Sequence, residues 1–342
     1  MKKDIDKIIV SSRIRLARNI QGCKFDSREL ERDFFVPIAE TIQRNNPTFE
    51  IAKISDAKNA TLFKALSEQH LISHALLENT HNGMLVASNK SGAETIAEST
   101  RRICVMLGEE DHIRIQCIEL SLNLAGAYKI AKKLSSEISS EHAFAKDSEF
   151  GHLTRCVTNV GTGMRASVMV FLPALTISGR LAEIFAKLRT EHITIRGVYG
   201  EGTESGGNMY QISNQATITW KEEEIISTVT QIAENLSRQE LVEQAKIFAE
   251  NPDMIVDGVL RSFGLLTNAH MLSSDEAVNE LVSLKLGTNL GIIKFKNNRI
   301  IDDLFFIIQP ATIAQGKTIT AIERDKLRAK RIREILLATR VK

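Results

Sequence analysis

The densest chemistry in the 342-residue sequence is the run Cys156-Val157-Thr158-Asn159-Val160-Gly161-Thr162-Gly163-Met164-Arg165-Ala166-Ser167. It holds a thiol, two backbone-permissive glycines and an arginine. Gly161 and Gly163 allow a tight turn or a close approach of backbone to a ligand. A glycine-rich turn beside a cation is one way to hold phosphate. The spacing is neither the G-x-x-x-x-G-K-[ST] phosphate loop nor the G-x-G-x-x-G dinucleotide fingerprint. On spacing alone, an ordinary glycine turn ahead of a buried strand explains the run equally well.

Arginines recur in comparable settings. Arg13 and Arg15 lie in Ser11-Ser12-Arg13-Ile14-Arg15, where an extended chain would point both to one face. Arg114 follows the acidic run Glu109-Glu110-Asp111, and Arg196 opens the glycine-rich stretch Arg196-Gly197-Val198-Tyr199-Gly200-Glu201-Gly202-Thr203-Glu204. Any one of them alone reads as a surface ion pair. Together they fit a polyphosphate, because the planar, permanently charged guanidinium matches phosphate oxygens and phosphoryl transfer is governed by positioned charge. The acidic run read by itself is a solvated loop. A lone Cys156 reads as a small buried hydrophobe. His70 serves as well for a helix-end histidine as for a ligand contact. Arg324 and Arg328, at i,i+4 in a helical pattern, read as a solvated basic face.

The elements that must position these groups alternate between strand and helix. Strands are expected at 8–10, 103–107, 113–117, 167–172, 192–199 and 208–219, with a turn at His81-Asn82-Gly83 and an exposed loop over 88–100. Helices are expected over 27–46 (capped by Ser27 and kinked at Pro37), 56–69, 120–138, 178–190 and 221–250. Asn251-Pro252 ends the last of these, and helices at 253–263, 274–287 and 321–338 follow. The pattern implies a mixed α/β (α+β) unit over 1–250 and a helical unit over 251–342 that packs on it or dimerises.

Composition agrees with a packed, water-soluble chain. Apolar residues make up 43%, and the formal charge of +2 carries no bulk case for nucleic acid or membrane binding. No apolar run approaches a membrane span, and the charged start of the chain is unlike a secretory leader. The four cysteines, Cys23, Cys104, Cys117 and Cys156, form no C-x-x-C pair, so free thiols in a reducing cytoplasm are expected and no structural metal site is.

Taken in order, the four chemical stretches resemble the phosphagen kinase (ATP:guanido phosphotransferase) family, most of all its bacterial protein-arginine kinase branch of the McsB type. That resemblance implies an antiparallel sheet flanked by helices, with ATP and Mg²⁺ as cofactors. It places Ser11, Ser12, Arg13, Ile14, Arg15, His70, Arg114, Arg165, Ala166, Ser167, Val168, Met169, Arg196, Gly197, Val198, Tyr199, Gly200 and Glu201 at the nucleotide. Tyr199 stands where free-guanidine kinases carry another arginine and the bacterial branch does not.

The resemblance makes Glu110 and Glu204 the pair that grips the acceptor guanidinium, with Glu110 the better candidate for general base. A guanidinium with a pKa above about 12 is a poor nucleophile, so it must be oriented and relieved of a proton as it attacks. Cys156 is implied as an electrostatic helper beside that guanidinium. Val157 replaces the usual proline, and Gly108 replaces an asparagine that often precedes the acidic pair. Arg324-Asp325-Lys326-Leu327-Arg328-Ala329 matches the R-D-x-x-R-A motif by which the branch recognises phosphoarginine, so Arg324, Asp325 and Arg328 are expected to form a regulatory site.

The activity implied is phosphorylation of arginine side chains in proteins, in stress response and quality control. A zinc-containing activator, an AAA+ protease and a homodimer or larger oligomer are the implied partners. A small-guanidine kinase is disfavoured, because the motif starting at Ser11 leaves no room for that group's preceding helical domain. An inactive phosphoarginine-binding adaptor is disfavoured by the presence of Glu110, Glu204 and Cys156.

Overall fold

A computed structural model describes residues 2–88, 101–198, 206–215 and 217–341. The expected exposed loop at 88–100 lies almost wholly outside the described residues. The chain begins with a short helix α1 (Lys2–Ile5) and strand β1 (Ile9–Arg18), followed by α2 (Val36–Asn45), β2 (Phe49–Lys53), α3 (Ala60–Glu68), α4 (His74–Glu78) and β3 (Met84–Ser88). Next come β4 (Arg101–Leu107), β5 (Ile113–Glu119), α5 (Leu124–Ser139), a small hairpin of β6 (Lys146–Asp147) and β7 (Gly151–His152), and β8 (Met164–Phe171). Helices α6 (Pro173–Ile177) and α7 (Leu181–Thr190) lead into β9 (Ile193–Gly197) and β10 (Met209–Asn214). The long α8 (Glu222–Glu250) then precedes α9 (Pro252–Asn268), α10 (Ser274–Leu290), α11 (Ile300–Ile307), α12 (Pro310–Ala314) and α13 (Ala321–Thr339).

Eight strands form one sheet in the order β2-β3-β4-β5-β1-β8-β10-β9. Every neighbouring pair is antiparallel. Side chains alternate across a strand, so the two faces of β1 differ. Ile14 and Leu16 enter a large core with Ala166 and Val168 of β8 and with α2, α5 and α8. Arg13 and Arg15 project to the opposite face and are half-buried. On that second face, one smaller core joins α3 and α4 to β3–β5 through Phe63, Leu66 and Met106. Another joins α9–α11 and α13 to Val10, Met169, Phe171 and Met209 of the sheet. The arginines occupy the strip between these two cores.

Several helix expectations need correction. Residues 27–46 are not one helix. Ser27–Glu29 is a 3₁₀ turn capped by Asp26, whose Oδ1 accepts from Arg28 N at 3.1 Å, and the helix starts at Val36. Pro37 lies in its first turn, where a missing N–H costs nothing, so it starts the helix rather than kinking it. The helix expected over 178–190 starts only at Leu181, because Gly179, at φ 70°, follows the end of the separate α6 before α7 begins. Helix 120–138 starts later, with Asn123 capping Gly126 N, which leaves Leu120 outside it. Helices α11 and α12 were not expected.

Candidate active site

The register of β1 against its neighbours aligns the cationic residues. Arg15 pairs across from Arg165 and Arg13 across from Ser167 on β8, while Ala17 pairs with Arg114 on β5. Gln211 on β10 pairs with Arg196 on β9. Arg13 donates from Nε to Ser167 Oγ (3.3 Å) and from Nη2 to Gln211 Oε1 (2.7 Å). Burial, then the like charges of Arg114 and Arg165, pull the Arg13 guanidinium down to about 10. Burial and the charges of Arg13, Arg114 and Arg165 likewise hold Arg15 well below the usual arginine range, against the opposing pull of Glu109. Arg165 is lowered by burial and by Arg196 and Arg114. Crowded, partly desolvated cations of this kind are relieved by a multivalent anion.

The strand alternation also divides the expected nucleotide residues. The side chains of Ile14, Ala166 and Val168 lie in the main core on the far face. Ser12 pins the start of α5, donating to Ser121 O at 2.6 Å and accepting from Asn123 N at 3.1 Å. These four can serve a ligand on the arginine face through backbone alone. Val198 packs into the core beneath the C-terminal helices. Ser11 and Met169 do face the arginine strip and line its cavity with Arg13, His70, Ser167 and Gln211. His70 adopts φ 57°, and burial beside Arg13 brings its imidazole down to about 4, so it is neutral at physiological pH.

The three consecutive acids meet three fates. Glu109 is buried and pairs with Arg114 Nη1 at 2.5 Å. Glu110 has a side chain 43% exposed and lies 3.5 Å from Arg114 Nη2, so it is the carboxylate of the three that is open to solvent. Asp111 is fully buried and ties three segments together. Its Oδ1 accepts from Asn19 Nδ2 (3.0 Å) and Arg155 N (2.7 Å), and its Oδ2 from Asn159 Nδ2 (3.3 Å). Asn19 Oδ1 in turn accepts from His112 N at 2.8 Å. The acidic turn and the thiol loop are thereby fixed to each other. Sequence reasoning missed Asn19, Asp111 and Gln211 in these supporting roles; the only signal available was the density of polar residues beside Arg114 and Arg18.

Cys156 caps a 3₁₀ turn over Val157–Asn159, is partly exposed, and lies 3.0 Å from Thr158 Oγ1. The two glycines of the run serve packing. A Cβ on Gly161 would fall 2.4 Å from Thr217 O, and one on Gly163 would fall 2.6 Å from Ala17 O. They let the thiol loop lie directly on neighbouring backbone, as a turn ahead of a buried strand requires. Glu204, with Tyr199, Gly200 and Glu201, lies outside the described residues.

In the C-terminal motif, Arg328 is buried and donates from Nε to Ile308 O (2.9 Å) and from Nη1 to Leu272 O (2.7 Å) and Asp325 Oδ1 (2.5 Å). Arg324 is half-buried. The i,i+4 pair therefore does not form one solvated basic face. Among the described residues, no group of three or more His, Cys, Asp or Glu could hold a metal ion, and no helix is long and apolar enough to cross a membrane.

Comparison with known proteins places this geometry. Residues 33–243 match the family model for the ATP:guanido phosphotransferase C-terminal catalytic domain, and residues 252–342 match that for the protein-arginine kinase McsB C-terminal domain. The chain is 37% identical to a protein-arginine kinase of Syntrophomonas wolfei subsp. wolfei, covering 96% of this chain and 91% of the relative. It is 35% identical to that of Halalkalibacterium halodurans, covering 97% and 93%. The fold resembles a duplicated taurocyamine kinase from Schistosoma mansoni with bound transition-state analogue components (TM-score 0.56, 22% identity, 68% of this chain and 33% of that one). It also resembles lombricine kinase (TM-score 0.56, 20% identity, 70% and 68%).

Proposed function

This chain belongs to the ATP:guanido phosphotransferase family, and from that premise we propose that it is a protein-arginine kinase whose site is the arginine strip on the second face of the sheet. The observation that carries the reading is the convergence of Arg13, Arg15, Arg114 and Arg165 beside Glu110 and Cys156. Arg13, Arg15 and Arg165 hold the triphosphate of ATP, with Arg196 at the edge of the strip. Mg²⁺ enters bound to the nucleotide and neutralises charge on the phosphate oxygens. Gln211 and Ser167 fix the Arg13 fork, and paired Glu109 fixes Arg114.

A substrate guanidinium docks against Glu110, with Glu204 proposed on its other edge and Cys156 alongside. The guanidine nitrogen attacks the γ-phosphorus, the bond to the β,γ-bridging oxygen breaks, and the departing proton passes to the Glu110 carboxylate. ADP and N-phosphoarginine result.

The solvent-open Glu110 carboxylate and the relatives' printed activity favour an arginine in a protein over free arginine. Exposed apolar side chains on α9 and α13, including Met254, Leu260, Ile322 and Leu337, support a homodimer or larger oligomer through the 251–342 unit. Phosphoarginine recognition is assigned to Arg324 and Asp325, with Arg328 as the brace that shapes the site. The stress-response role, the zinc-containing activator, the AAA+ protease and a cytoplasmic location are carried by the family resemblance.

The test is incubation with Mg-ATP and an arginine-rich protein, followed by mass spectrometry at neutral or basic pH, which preserves the P–N bond. Phosphate on protein arginine is expected, with none on free arginine. Label on free arginine alone indicates a small-guanidine kinase, and no label with retained phosphoarginine binding indicates an adaptor. Glu110→Gln should abolish transfer while ATP binding persists; unchanged transfer would remove Glu110 from the mechanism.

A further inference from the structure

We propose that the C-terminal unit builds the base-side wall of the nucleotide cleft, with the Phe306 ring as the surface against which the purine of ATP packs. This rests on reading the arginine strip as the triphosphate site.

The strand register gives the cleft a direction. Alternate rungs between β1 and β8, those on the arginine face, are Arg15–Arg165, Arg13–Ser167 and Ser11–Met169. Over these two steps, about 13 Å along the strand, the lining passes from crowded cations through hydrogen-bonding groups to an apolar end. That order matches phosphates, ribose and base. Met169 shares the apolar end with Phe306, which reaches the same cavity from α11, while Ile118 and buried Arg102 line it at the level of Arg13. An aromatic face is a natural partner for a purine. The cavity is about 30 Å³, room for a water and not for a purine, so entry of the base displaces Phe306 or α11.

The wall is held to the catalytic sheet at both ends. Arg299, just before α11, donates to Leu120 O, and half-buried Asp303 sits in the field of Arg102 and Arg299. After α11, the Glu68 carboxylate accepts from Ala311 N (2.7 and 2.9 Å) and Thr312 N (2.9 Å). Gln69 Nε2 donates to Thr312 Oγ1 at 3.5 Å. His70, which lines the cavity, follows directly. The C-terminal unit thus contacts the cleft through Phe306 and braces the segment that carries His70.

The experiment compares Mg-ATP with Mg-tripolyphosphate, which has no base, as ligands of the full chain. Phe306→Ala should weaken ATP binding about tenfold, Phe306→Leu by less, and neither should alter tripolyphosphate binding. Phe306→Leu keeps most of the buried volume and carries the test if the alanine variant melts early. Mg-ATP should also slow amide exchange over Ile300–Ile307 in the wild type, and tripolyphosphate should not. Unchanged ATP affinity in a folded Phe306→Leu protein, with no change in exchange over α11, overturns the proposal. Retention of tripolyphosphate binding in Arg13→Met would instead overturn the underlying assignment of the arginine strip, whatever Phe306 does.

Discussion

Arg13 and Arg328 are both largely withdrawn from water, yet they are held in opposite ways. Arg328 is saturated by two backbone carbonyls and the Asp325 carboxylate. Among the described residues, Arg13 meets the neutral side-chain acceptors Ser167 and Gln211 and faces the positive charges of Arg114 and Arg165. A buried cation with a full set of acceptors holds a fold together. One surrounded by its own kind is a standing cost that an incoming anion removes. Burial alone does not separate structural from ligand-binding arginines; the identity of the acceptors does.

The largest test of this contrast is Arg13→Met. It should lower kcat/KM by about 10³-fold or more, as loss of a phosphate-clamping arginine does. Its melting temperature should stay within a few degrees of wild type, because like-charge crowding is relieved as two hydrogen bonds are lost. A large fall in stability would erase the distinction.

Arg328→Met should behave in the reverse sense. Leaving the Ile308 and Leu272 carbonyls and Asp325 without their donor should cost about 3–5 kcal/mol, read as a lowered denaturation midpoint, while ATP affinity per folded molecule holds. Wild-type stability would show Arg328 to be free for a ligand after all.

The smallest effect concerns Asp303. Burial and neighbouring Asp302 raise its pKa to about 6, against the pull of Arg102 and Arg299. The native state therefore binds a proton more tightly than the unfolded chain, so the associated stability is present below about pH 4 and is lost as pH rises through about 6. Asp303→Asn should melt a few degrees above wild type at pH 7.5, and the difference should vanish toward pH 4. A lower melting point at pH 7.5 would mean that ionised Asp303 is a net gain to α11.

Much of the arginine strip was legible in the sequence because strand alternation is a short-range rule. Arg13 and Arg15 had to share a face once β1 was extended. The fates of Glu109, Glu110 and Asp111 were not legible. Gly108, at φ 77°, sets a turn in which adjacent acids diverge, and only packing against Phe35, Asn79 and Asn82 selects that turn. A Cβ there would fall 2.8 Å from the Phe35 ring, which accounts for glycine in place of asparagine. Helix α11 was missed because Ile300–Ile308 is apolar on nearly every side apart from Asp302 and Asp303. A helix covered all round shows no polar stripe for periodicity to find. Phe306 went unnoticed with it. Pro37 was misread because the same residue can break a helix or begin one, and only the turn before it distinguishes the two.

The Asp111 strut carries a mechanical corollary. One carboxylate bolts the segment behind Glu110 to the segment that bears Cys156, so the Glu110 carboxylate and the sulfur are fixed as two halves of one jaw. Their spacing is set once, when the chain folds. Anyone regrafting this enzyme onto a new acceptor would have to transplant both halves of the jaw together, hinge pin included.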